Sequence, residues 1–303
     1  MVSTYRKEYG LSLTAPMDPV RLPLPPWHNS IGSHTAFTDL AVGIMVRSFG
    51  SAHIRVHLQT WIKNARGVML VLLADCSCPN PIDSHDRSCQ VAAPKWLTER
   101  CDAEVRCFQE TFSAKNSALK AAALWAALLE HRRDYYVKLD TDTVVEPSRL
   151  LQLFDQALVA ATKSADAAPL IYLGTDDNID RISVKNRIVR NSRFEDLEAN
   201  VSQSGWSFGY AAPRRLVHPK QVITLVQGGF EALSRAALKA LVGTQCLQRM
   251  AEADIPGYPP PSVEDIALGL CMHMLRVRPI LSDCIHPWAP CPCIVPNRTS
   301  RGP

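Results

Sequence analysis

Asp134-Tyr135-Tyr136-Val137-Lys138-Leu139-Asp140-Thr141-Asp142-Thr143-Val144-Val145 is the stretch whose reading decides the fold. Residues 135–139 are aromatic or aliphatic apart from Lys138, and they read as a buried strand. The strand delivers two aspartates, one residue apart, at its carboxyl end. Glu146-Pro147 then opens a helix, with Pro147 at a tolerated first-turn position. Open α/β sheets bind their ligands outside the carboxyl ends of strands. Asp140 and Asp142 are therefore candidates to offer hard oxygens to Mn²⁺ or Mg²⁺, cations that bridge phosphate oxygens. The competing reading is a plain β-turn, where Asp and Thr are common. On these residues alone both readings stay open.

Working outward, Asp39 to Val46 is a short apolar run typical of a buried parallel strand. A helix is expected over 54–63, with Trp61 on its apolar side. A second buried strand covers 68–73 and ends at Asp75. Residues 76–107 are rich in Cys and turn formers and give no clear pattern. The Ala/Leu/Lys composition of 113–131 predicts a strong helix. Downstream, 170–173 reads as a strand and 176–220 as a long polar excursion. Helices are expected over 234–241, after Gly228-Gly229, and from Ser262 towards Leu275. Strands alternating with helices imply an α/β fold with a mostly parallel central sheet and helices on both faces. The Pro-rich segment 1–34 (Pro16, Pro19, Pro23, Pro25, Pro26) reads as an extended tail before one domain over 35–303.

The chain has 303 residues and is 47% hydrophobic, enough for a sizeable core. Its net charge of +4 does not argue for nucleic acid and suits a small anionic substrate such as a nucleotide diphosphate. No P-loop and no Gly-x-Gly-x-x-Gly fingerprint occurs, so kinase and dehydrogenase readings have no support. The 10 cysteines allow disulfides in an oxidising compartment or a Cys-rich zinc site, and the lack of Cys-x-x-Cys spacing favours disulfides. Asn200-Val201-Ser202 and Asn297-Arg298-Thr299 are N-glycosylation tripeptides of a kind that also arises by chance. No stretch is apolar enough to span a bilayer, and no signal peptide is visible; a missing upstream anchor is equally compatible.

Five further pieces join the acidic triplet in order, the glycine pair and the Ser234-Arg235 stretch after it counting as one. They are the opening strand with Thr60-Trp61, Tyr172-Leu173-Gly174, Gly228-Gly229-Phe230, Leu233 to Leu238 with its Ser234-Arg235, Glu264-Asp265 before Gly269, and Ile285-His286-Pro287. Together they resemble the fringe-like and β-1,3-galactosyltransferase group of GT-A glycosyltransferases over residues 36–296. The departures are Thr141 in place of a middle acid and Val144 in place of an aromatic.

The resemblance implies a GT-A type, Rossmann-like fold, a UDP-sugar donor, Mn²⁺ or Mg²⁺, and inversion during transfer to a glycan or glycoprotein acceptor. It implies Asp142 as the direct metal ligand, with Asp140 nearby on the metal or the nucleotide ribose, and His286 completing the shell. Asp265 would be the catalytic base that deprotonates the acceptor hydroxyl. Asp75 matches an acid near the nucleotide, and Gly228 and Gly229 would leave room for donor or acceptor. A Golgi or secretory location follows from the same resemblance. Each residue also has a plainer reading: Asp265 as an acid at a helix start, His286 as an ordinary surface histidine, the glycine pair as a bulge or turn. Lys115 and Lys120 read as near the phosphates or, more plainly, as part of a solvated helix face. One rival is an inactive sugar- or nucleotide-binding module, invited by Thr141. Another is a metal-dependent phosphohydrolase, which needs a richer His/Asp cluster than these scattered histidines provide.

Overall fold

Tyr135–Leu139 forms a strand with the predicted bounds, buried along its length, in the interior of a nine-stranded sheet. The computed structural model describes residues 17–22, 36–48, 52–78, 88–109, 117–141, 143, 145, 147–162, 169–175, 207–209, 215–218, 221–226, 228–252 and 264–282. The strands are β1 (Val20–Arg21), β2 (Leu40–Val46), β3 (Met69–Asp75), β4 (Ser88–Val91), β5 (Asp102–Phe108), β6 (Tyr135–Leu139), β7 (Tyr172–Gly174), β8 (Ser207–Gly209), β9 (Arg215–His218), β10 (Gln221–Thr224), β11 (Phe230–Ser234) and β12 (Pro279–Leu281). The helices are α1 (Ala52–Thr60), α2 (Lys95–Thr98), α3 (Ser117–Glu130), α4 (Pro147–Thr162), α5 (Arg235–Gly243), α6 (Cys246–Glu252) and α7 (Glu264–Met274).

The main sheet runs β1-β12-β7-β11-β6-β2-β3-β5-β4, and β8, β9 and β10 form a separate antiparallel sheet. Strands β6, β2, β3 and β5 are parallel, as are β1, β12 and β7. Strand β11 runs antiparallel to both β7 and β6, and β4 runs antiparallel at the edge. The α/β class and mostly parallel sheet are as the alternating pattern predicts. Strand β1 lies within the Pro-rich segment read as a tail, and it pairs with β12.

Side chains alternate between the two sheet faces, and each face has its own core. On one, Ala41, Tyr136, Tyr172 and Leu233 pack with buried residues of α3, α5, α6 and α7. On the other, Val42, Ile44, Val137 and Leu173 pack with Ile54 of α1 and Phe154 of α4. Starting from β2, the chain adds β3 and then β5 on one side, and crosses back to place β6 on the other. The carboxyl ends of β2 and β6 therefore flank a topological switch point, where open α/β sheets bind ligands.

Two glycines contrast in what they space. A Cβ on Gly43 of β2 would lie 2.9 Å from Leu124 and Leu128 of α3, so the absence of a side chain lets α3 settle on the sheet. Gly243, the last residue of α5, meets nothing within 4 Å. Gly43→Ala is expected to lower stability by about 1–3 kcal/mol through overpacking. Gly243→Ala should raise it by up to roughly 1 kcal/mol through helix propensity. Urea unfolding of the two variants checks both signs, and equal effects would refute this account of α3 packing.

Three disulfides join described cysteines: Cys76–Cys107, Cys78–Cys89 and Cys246–Cys271. The first two staple the carboxyl ends of β3 and β5 and the amino end of β4 together, and the third ties α6 to α7. Cys101 is a free thiol, its pKa pushed up to about 11 by burial and by Asp102 beside it. Such a thiol is mostly protonated at neutral pH. Cys284, Cys291 and Cys293 lie outside the described residues. No helix among the described residues is long and apolar enough to cross a membrane.

Candidate functional site

Lys138 organises the carboxyl end of β6. Its side chain is 0% exposed, on the face covered by α3 and α7. A buried ammonium requires compensating partners, and four groups surround it. Nζ donates to the Gly228 carbonyl at 2.6 Å and to Asp140 Oδ1 at 3.2 Å. It lies 3.5 Å from Glu264 Oε1 and 3.6 Å from Glu231 Oε2. Glu231 is the residue of β11 directly across from Lys138.

The charges divide unequally. Burial disfavours the charged lysine, but Asp140, Glu231 and Glu264 outweigh it and hold the Lys138 pKa above its ordinary value. Burial pushes the Glu264 carboxyl up, and Lys138 with hydrogen bonds, including one to Ser117, outweighs that and leaves it below the ordinary value. Glu231 is fully buried, and neither of its oxygens has a hydrogen-bond partner. Burial drives its pKa well up despite Lys138, with Glu264, Asp265 and Asp140 adding to the rise. Lys138 thus favours its charged form, in ion pairs with Asp140 and Glu264, while burial biases Glu231 towards its protonated form.

The glycine pair sits between the two acidic segments. The Gly229 carbonyl accepts from the Asp140 N–H at 3.2 Å and from Thr143 Oγ1 at 2.7 Å. A Cβ built on Gly228 would lie 3.4 Å from Asp265 Cβ and 3.6 Å from Glu264 Oε1. Neither glycine has a positive φ. Asp265 stands in the first turn of α7, 5% exposed, with Oδ1 accepting from the Ile266 N–H at 2.8 Å. An acid there is also favoured by the helix dipole. Gly269, one turn further on, lets α7 approach Leu225, whose Cδ2 would be 2.5 Å from an added Cβ.

The backbone of the triplet is held from the other face. His57 of α1 is buried, and its Nε2 lies 3.0 Å from the Thr141 carbonyl. Trp61 Nε1 donates to His57 Nδ1 at 2.8 Å. An indole N–H can only donate, so Nδ1 accepts and Nε2–H donates to Thr141. Trp61 thereby fixes the tautomer that lets His57 hold the turn.

Asp75 is placed elsewhere. Strands β6, β2 and β3 are consecutive neighbours, so the ends of β6 and β3 are two strands, about 10 Å, apart. Lys120 of α3 hydrogen-bonds to Asp75 Oδ1, and its Nζ donates to the Val46 carbonyl at the end of β2 at 2.9 Å. Lys120 is 1% exposed, which corrects the expectation of a solvated helix face. Burial lowers its pKa, and Asp75 opposes that shift.

Of the residues singled out in the sequence, Asp140, Gly228, Gly229 and Asp265 come together around Lys138. Asp75 joins the Lys120 pair, and Lys115, Asp142 and His286 lie outside the described residues. Among the described residues no group of three or more His, Cys, Asp or Glu side chains could hold a metal ion. Sequence reading missed Lys138, Glu231 and His57 as members of the site. The signal for the first two was a charge inside an otherwise apolar strand.

No protein-family model matches the chain, and no curated protein does. The likeness to the fringe-like group therefore rests on the short motifs quoted above. Among solved structures, CMP:2-keto-3-deoxy-manno-octonic acid synthetase complexed with CTP is similar at 12% identity, with a TM-score of 0.35 over 80% of this chain and 90% of that one.

Proposed function

We propose that the chain is a metal-dependent glycosyltransferase of GT-A type, fringe-like in its motifs, which moves a hexose or N-acetylhexosamine from a UDP-sugar to a glycan or glycoprotein acceptor with inversion. The observation that carries this reading is the gathering of Asp140, Gly228 and Glu264 on Lys138 beside the switch point, with Gly229 bonded to Asp140 and Asp265 next to Gly228. In this reading Asp265 takes the proton from the acceptor hydroxyl as it attacks the anomeric carbon. Gly228 keeps the space next to Asp265 free of a side chain. His57 and Thr143 keep the triplet's backbone in place.

Two aspartates and a histidine are donor types that Mn²⁺ or Mg²⁺ accepts, and the Asp140 carboxylate, 37% exposed at its strand end, suits such a cation. Asp140, Asp142 and His286 would hold it, and it would stabilise the negative charge on the departing UDP. The three disulfides fit a lumenal, secretory-pathway setting such as the Golgi.

One observation favours a second reading, a nucleotide- or sugar-binding module without turnover. Lys138 already offsets the charge of Asp140, which weakens that carboxylate as a metal ligand. A donor screen with UDP-sugars, read by UDP release with and without Mn²⁺, separates the two. Mn²⁺-dependent release from one donor is expected, and silence from a folded sample across the panel would reject turnover. Asp142→Ala should remove the Mn²⁺-dependent part of UDP affinity, about tenfold or more. Unchanged affinity in that variant would remove Asp142 from the metal site.

A further inference from the structure

At the opposite end of the sheet's parallel strands from the acidic site, a cavity of about 810 Å³ opens beside the amino ends of β3 and β5. That volume lies within the range of small-molecule sites. Lys63, Arg66 and Arg100 line it, with Gln59 and Thr98 as neutral polar groups and Asp102 as the one carboxylate. All three cations are exposed, and among the described residues none of their side chains is in an ion pair.

Their placement follows from the fold. Arg66 precedes the Gly67 turn into β3, and Arg100 stands two residues before β5. The two strands are parallel neighbours with Met69 opposite Asp102. Two guanidinium groups thus rise from adjacent strand starts, with Lys63 beside them on the short 3₁₀ turn Ile62–Asn64. Three like charges around one concavity repel, and an anion seated among them removes that repulsion. Guanidinium groups bind planar or tetrahedral oxyanions in a two-pronged fashion.

We propose that this groove binds an oligoanion carrying two or more sulfate or phosphate groups along one short chain. The site is independent of the transferase reading, because it shares no residue with the cluster around Lys138.

Isothermal titration of the whole chain with tripolyphosphate, and with a sulfated hexasaccharide beside its unsulfated twin, tests the proposal and separates the two sources of the same charge. At least one anionic probe is expected to bind, more weakly as NaCl rises. Arg66→Glu with Arg100→Glu should lower that affinity about tenfold or more. The pair Arg66→Lys with Arg100→Lys should fall between the parent and the charge-reversed pair, because it keeps the charge and loses the two-pronged geometry. Because both arginines are exposed, the unfolding midpoints should match the parent protein, which makes a loss of binding attributable to the groove. Failure of both anionic probes to bind, equal binding of the unsulfated sugar, or unchanged affinity after charge reversal would each overturn the proposal.

Discussion

Lys138→Met is expected to destabilise the protein by about 3–5 kcal/mol, the loss that follows when one partner of a buried ionic group is removed. The variant keeps the length of the side chain but leaves the Gly228 carbonyl without its 2.6 Å donor and Glu264 without its main counterion. Glu231 suffers least, because burial already favours its protonated form. Glu264 must then take up a proton or draw in water, and the start of α7 shifts with it. Urea unfolding at neutral pH reads the loss directly; a variant within about 0.5 kcal/mol of the parent, the range of ordinary surface changes, would mean that Lys138 is not the centre of the cluster.

The pH dependence has opposite causes for the two partners. Lys138 has a raised pKa, so its contribution is complete below the ordinary lysine value and is lost only as pH climbs through the raised one. Glu231 is also raised. Its contribution is complete below the ordinary carboxylate range and is lost as pH rises towards its own shifted value.

Asp265→Asn is expected to lower turnover by roughly 10²–10⁴ while UDP affinity stays unchanged, the span for removing a general base. Asparagine keeps the size of the side chain and its acceptor for the Ile266 N–H, so α7 should start as before. What it loses is the ability to take a proton. Measuring kcat and UDP affinity separately distinguishes this role from that of a helix-start acid. A helix-start acid, once neutralised, would lose about 0.3–1 kcal/mol of stability with kcat intact, and that result would remove Asp265 from the mechanism.

The sequence was most informative where a strand is buried on both faces. Tyr135–Leu139 and Leu40–Val46 are continuous apolar runs, and both were placed to within a residue. It was least informative around Phe230–Ser234. That strand carries Glu231, follows two glycines and leads straight into a helix, so its pattern reads as a loop. Only pairing with β6 and β7 makes it a strand, and only Lys138 across the ladder explains an acid in its middle. The Cys-rich stretch 76–107 hid β4 and β5 for a similar reason: β5 carries Glu104 and Arg106, which bond each other, while His131 bonds Glu104 and Glu130 bonds Arg106. Local composition cannot show a charge satisfied by a distant partner.

For the site, the residue types at strand and helix ends were legible, and their supports were not. His57 looked like one of several scattered helical histidines; its role emerges from Trp61 one turn away and from Thr141, 84 positions away.

The antiparallel insertion of β11 between β6 and β7 also sets an order of assembly. The bond from Lys138 to Gly228 spans 90 positions, and the bond from His57 to Thr141 spans 84. Closing such long loops is slow compared with forming α3 or pairing β2 with β3. The strands of the parallel half, β2, β3, β5 and β6, precede β11 and α7 along the chain and can condense first during synthesis, with Lys138 still reached by water. Its ammonium loses that water only when β11 and α7 arrive together with its counterions. A chain on a ribosome reaches this point only after residue 265 has emerged, so the acidic cluster is among the last features the nascent protein completes.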